Sequence, residues 1–172
     1  MAYKYTSEVF QISASATEAA PNAGASTTIN LSLDSLSREI LVIQYVDMDL
    51  NEPDLVGGAR TSMDASLNNA GTTVAGLSNA NTIAAARTTV LAGSGAGAGG
   101  IDAAVSFQNN EPKVANGAED IPLYVSATDD LFLAVKGAGN TGRLGQVQVR
   151  IFARRAKADA DTYAAILTSQ FN

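Results

Sequence analysis

Apolar residues recur at every second position in short runs, and that period limits what the chain can fold into. Ile29, Leu31 and Leu33 alternate with Thr28, Asn30 and Ser32, and Val147, Val149 and Ile151 alternate with Gln146, Gln148 and Arg150. Successive side chains of a strand point to opposite faces, so this pattern builds strands with one face in a core and one in water. Ile121, Leu123 and Val125 repeat it. Asp129-Asp130 then marks a turn into Leu131, Leu133 and Val135. Ile40 to Val46 is apolar except for Gln44, which predicts a strand covered on both faces. Tyr5 to Ile12 and Val105 to Phe107 are shorter candidates. Seven or eight strands punctuated by Gly, Asn and Asp predict an all-β sandwich or barrel.

Two segments depart from the pattern. After Lys157 the spacing changes: Tyr163, Ile166, Leu167 and Phe171 fall on one side of a helix, and Asp159 or Asp161 is placed to cap its start. That apolar stripe is expected to pack on its own sandwich, because the connection from Arg155 is short. The middle, about residues 57–100, is rich in Ala, Gly, Ser, Thr and Asn and is expected as an insertion or loop region. Within it Thr82 to Leu91 suggests a short helix with Ile83, Ala86 and Val90 inward. The run Gly93 to Gly100 suggests a mobile loop. At 172 residues the chain is expected to form a single domain over 1–172.

The chemistry open to the chain is narrow. It contains no histidine and no cysteine, the usual sources of near-neutral bases, zinc ligands and thiol nucleophiles. Charged residues are 16% of the sequence, against a typical quarter. The net charge of −6 disfavours a general affinity for nucleic acid. The polar start, Met-Ala-Tyr-Lys-Tyr, has no apolar signal core, and no run reaches the roughly 18 apolar residues of a membrane span. Synthesis in a cytoplasm without a signal peptide is expected.

Four motifs bear on function. Gly137-Ala-Gly139-Asn-Thr-Gly142 spells a dinucleotide fingerprint after a strand, but period-two sequence follows it where a helix should begin, so a hairpin loop is expected. Asp47, Asp49, Asn51, Glu52 and Asp54 place oxygen ligands in a pattern that resembles the opening of a calcium loop. Glu52 and Gly58, however, stand where the EF-hand requires Gly and Glu. The run is a candidate weak calcium site, and no other cofactor is expected. The pairs Glu52 with Asp54, Glu119 with Asp120, and Asp129 with Asp130 offer carboxylates for glycan hydrolysis. They lie beside turn residues, tryptophan is absent and aromatics are 6%, so no catalytic residue is assigned. Finally, Arg150, Phe152, Arg154 and Arg155 form a basic stretch. On a strand, Arg150, Phe152 and Arg154 share one face, which suits contact with an acidic neighbouring subunit better than with nucleic acid.

The run Ser37 to Leu50 (SREILVIQYVDMDL) and the closing Gln148 to Leu167 resemble virion proteins of uncultured marine viruses. A cysteine-free β protein of this size also resembles the single jelly-roll capsid subunits of tailless icosahedral viruses. The resemblance implies a jelly-roll or related antiparallel β-sandwich with a short C-terminal helix. It also implies a capsid subunit that self-assembles with copies of itself or other capsid subunits in a virion, and no active site. A decoration or tail component, or a carboxylate-dependent glycan-binding or glycan-hydrolysing sandwich, are the alternatives.

Overall fold

The alternating runs become strands of two antiparallel sheets in the computed structural model, which describes residues 3–94, 104–109, 113–114 and 121–170, with backbone alone at 113–114. In chain order the strands are β1 (Tyr3–Tyr5), β2 (Phe10–Thr17), β3 (Ala25–Asn30), β4 (Glu39–Leu50), β5 (Arg60–Asn68) and β6 (Thr82–Ala92). They continue as β7 (Ala104–Asn109), β8 (Lys113–Val114), β9 (Tyr124–Ser126), β10 (Asp130–Ala138) and β11 (Gln146–Ala158), followed by helix α1 (Ala160–Gln170).

Eight of these strands make two four-stranded sheets, β2-β11-β4-β9 and β3-β10-β5-β6. Several strands consecutive in sequence (β2 to β3, β3 to β4, β4 to β5, β10 to β11) cross from one sheet to the other, so most pairs join segments distant along the chain, while β5 and β6 pair directly. That order is a jelly roll, built from two Greek keys. β1 extends the first sheet beside the end of β11, β8 pairs with β4, and β7 lies beside β6 at the edge of the second.

The inward positions follow the period of two. Val147, Val149 and Ile151 of β11 meet Met63, Ala65 and Leu67 of β5 and Leu131, Leu133 and Val135 of β10, all buried. The first part of β4, Ile40 to Ile43, is covered on both faces, as its continuous apolar run predicts, whereas from Tyr45 on its residues alternate between core and open face. Leu41 and Ile43 enter the main core, while Ile40 and Val42 face outward into a second cluster with Ala156 and Ala158, under Tyr163, Ile166 and Leu167 of α1. Gln44 interrupts the run because it is the extra residue of a β-bulge: the β4–β11 register shifts between Phe152 and Ala153, and Gln44 has no partner opposite.

α1 therefore packs on its own sandwich. The Asp159 carboxylate accepts the Thr162 N–H at 2.8 Å and caps the helix start. At the far end buried Gln170 accepts the Ala127 N–H and donates to the Val125 carbonyl at 2.7 Å, which ties the last turn to β9. Phe171 lies outside the described residues. No described helix is long and apolar enough to cross a membrane.

The expectations for the middle of the chain need correction. Thr82 to Leu91 is not a helix but most of β6, hydrogen-bonded between β5 and β7. Its β-branched residues (Thr82, Ile83, Thr88, Thr89, Val90) suit a pleated surface, and Ala84, Ala86, Thr88 and Val90 alternate inward. Residues 57–100 are likewise not a loop region throughout, since they supply β5 and β6. Small residues there are packing positions: Ala65, Ala84 and Ala86 are buried between the sheets. The expected glycine loop lies, from residue 95 on, outside the described residues.

Candidate functional site

Three adjacent strands of the first sheet present outward residues in rows. Register places Ser13 of β2 opposite Arg150 of β11, and Arg150 opposite Asp47 of β4. The next row is Ser15, Gln148 and Asp49; the row on the other side is Gln11, Phe152 and Tyr45. The rings of Tyr45 and Phe152 meet edge to face, centroids 5.4 Å apart. Gln11 donates to the Ser13 hydroxyl at 2.7 Å. Gln11, the Ser13 and Ser15 rows and Gln146 line a polar depression of about 1060 Å³ on the face of the sheet, and the Tyr45–Phe152 pair stands outside it.

The candidate calcium run is split in two. Asp47 and Asp49 belong to the rows just described. Asn51, Glu52 and Asp54 follow β4 and turn to the β10–β11 loop. The Asn51 side chain accepts the Gln146 N–H and donates to the Leu144 carbonyl, each at 2.8 Å. One Asp54 oxygen, Oδ2, accepts the N–H groups of Thr141, Gly142 and Arg143 at 2.9, 2.8 and 3.0 Å. Arg143 donates to the Glu52 carbonyl at 3.2 Å and comes within 4 Å of the carboxylates of Glu52 and Asp54. Among the described residues no three acidic side chains are grouped closely enough to hold a metal ion between them.

The glycine motif is the hairpin loop expected from the sequence, and its amides do form an anion nest. The anions are the chain's own. Asp54 fills the nest at 141–143, and those amides hold its carboxyl below the ordinary range, led by Arg143 and Gly142. A second carboxylate, Glu18, is only 2% exposed and accepts the N–H groups of Gly24, Gly137 and Gly145 at 2.8, 2.9 and 2.7 Å. Burial opposes its ionisation, yet the amides of Gly137, Gly145, Gly24 and Asn22 outweigh that and keep its pKa lowered. A Cβ at Gly145 would stand 2.9 Å from Glu18 Oε2, so the close approach requires glycine. Gly139 is left-handed (φ 74°), and a Cβ there would lie 2.7 Å from the Arg60 carbonyl.

Arg150, Phe152 and Arg154 share the outer face, with the Arg154 guanidinium 5.0 Å from the centre of the Tyr5 ring. Arg155 points the other way. It pairs with Glu39 at 2.8 Å and donates to the carbonyls of Leu31 and Ser32, fixing the β3–β4 connection. Of the carboxylate pairs, Glu52 and Asp54 serve the hairpin. Asp129 accepts the Leu33 N–H and Asp130 accepts from Asn30. Glu119 and Asp120 lie outside the described residues.

No family model and no curated protein matches the chain. Among solved structures it is similar to a point mutant of the unassembled VP1 pentamer of Washington University polyomavirus, with 11% identity, a TM-score of 0.38, and coverage of 91% of this chain and 97% of that one. At that score the jelly-roll assignment rests on the strand order itself.

Proposed function

We propose that the chain is a virion structural subunit, a capsid protein that assembles with copies of itself. The observation that carries this reading is the edge of the second sheet. β7 pairs with β6 on one side, and on its outer face Val105 and Phe107 are exposed beside Leu91 of β6. Its six residues carry no charge. An uncharged strand at a sheet edge with apolar side chains in water is a template for another chain, and folded proteins usually blunt such edges with charge. The jelly roll is an architecture of viral shells, although it also serves lectins and cupins. The likeness of Ser37–Leu50 and Gln148–Leu167 to virion proteins supports the shell over the others.

Light scattering and electron microscopy on the purified chain test the proposal. Closed oligomers or shells are expected as concentration rises. Phe107→Lys, at an exposed position, is expected to leave melting nearly unchanged and to abolish assembly. A wild-type chain that stays monomeric at every concentration and salt would overturn the assignment.

A further inference from the structure

We infer that the polar face of the first sheet is a binding site for a neutral oligosaccharide. The proposal is independent of assembly and rests on the rows of β2, β11 and β4. Each of two rows sets a hydroxyl, a nitrogen donor and a carboxylate side by side: Ser13, Arg150 and Asp47, then Ser15, Gln148 and Asp49. Strands lie about 4.8 Å apart and alternate residues of one strand about 6.8 Å apart, so donors and acceptors repeat on the scale of a sugar ring. A pyranose carries adjacent hydroxyls, each both donor and acceptor, and side-by-side acceptor and donor groups satisfy two at once. The Tyr45–Phe152 pair stands beyond one end of the rows, its rings engaged edge to face with each other, so recognition falls to the polar groups that line the depression.

Other occupants fit less well. The rows carry two carboxylates and one guanidinium, so their net charge of −1 repels phosphate, sulfate and nucleic acid. A protein interface centres on apolar anchors depleted of charge, and here the centre is Gln148 and Arg150. The depression, about 1060 Å³, holds a short chain of sugars.

Calorimetric titration of the full chain with cellohexaose, maltohexaose, mannohexaose and chitohexaose, with a heparin hexasaccharide as the anionic control, tests the site. At least one neutral probe is expected to bind with Kd in about the millimolar range or tighter, and heparin is not. Asp49→Ala and Gln148→Ala change exposed side chains, so melting is expected to hold while affinity falls about tenfold in each. Ser26→Ala, on the other sheet, is expected to change nothing. No binding by any neutral probe at about 10 mM, binding indifferent to both substitutions, or preference for heparin would each overturn the proposal. Failure to assemble would not touch it, because the titration reads the unassembled chain equally well.

Discussion

β4 and β11 run side by side through the whole sandwich, and their two ends are held by opposite chemistry. At one end Ile40, Val42, Ala156 and Ala158 face outward and are sealed by α1. At the other, the outward residues are Asp47, Asp49, Gln148 and Arg150, and the loop beyond is fixed by Glu18 and Asp54 on backbone amides. The change falls near the bulge at Gln44. The difference shows how a single strand pair is stabilised by dry contact where a helix covers it, and by charge-assisted hydrogen bonds where loops converge. Of the two ends of this pair, the one without the helix leaves its outward face open, with Asp49, Gln148 and Arg150 exposed.

The largest test removes the dry end. Deleting residues 159–172 strips Tyr163, Ile166 and Leu167 from the second cluster and exposes Ile40 and Val42. Urea denaturation is expected to register a loss of about 5 kcal/mol, since each large side chain contributes roughly 1.5–3 kcal/mol. A truncated chain that melts normally would show that α1 does not hold this end.

Glu18→Gln tests the polar end. The amide keeps the shape but replaces an acceptor oxygen with a donor facing backbone N–H groups. About 3 kcal/mol is expected to be lost in the same assay, the scale of a buried charge-assisted network left partly unsatisfied. The charge also predicts a pH dependence. Both Glu18 and Asp54 have folded pKa values lowered from ordinary values of 4.5 and 3.8. Their contribution is therefore complete above about pH 4.5 and is lost as pH falls through the depressed folded values. Melting temperature followed from pH 7 downward should drop below that point, and Glu18→Gln should flatten the drop. An unchanged acid limb in the variant would remove Glu18 from the account.

Gly139→Ala perturbs the same loop through its backbone. The left-handed φ and the Arg60 carbonyl together should cost about 2 kcal/mol. A neutral substitution would mean that the loop shifts freely. The smallest expected effect is that of calcium. With Asp54 engaged by three amides and only Asp47 and Asp49 remaining together, millimolar calcium should move melting by less than about 1 °C. A shift of several degrees that Asp49→Asn abolishes would reunite the two halves of the run.

Much of this architecture is legible in local sequence. Alternation at 147–151 and 131–135, the doubly covered run at 40–43 and the helical stripe from Tyr163 all report burial, and burial is written in the identity of neighbouring residues. The alanines of β6 suggest a helix in sequence because alanine fits a helix as readily as a strand. Only pairing selects the strand, with β5 along nearly its whole length and with β7 from Arg87 to Ala92. Glu18 carries no local signal at all. Its amide partners at Gly137 and Gly145 lie 119 and 127 residues away.

Residue type and spacing alone establish which faces of the strands are apolar, that a helix closes the chain after Lys157, and that the chain has no imidazole or thiol chemistry. The tertiary structure decided what those faces meet. It seated Glu18 and Asp54 on backbone amides, divided Asp47 and Asp49 from Asp54, turned Arg155 away from Arg154 and aligned three strands into polar rows. Each of those outcomes depends on register between segments far apart in the chain, and register is set by the packing of the whole sandwich.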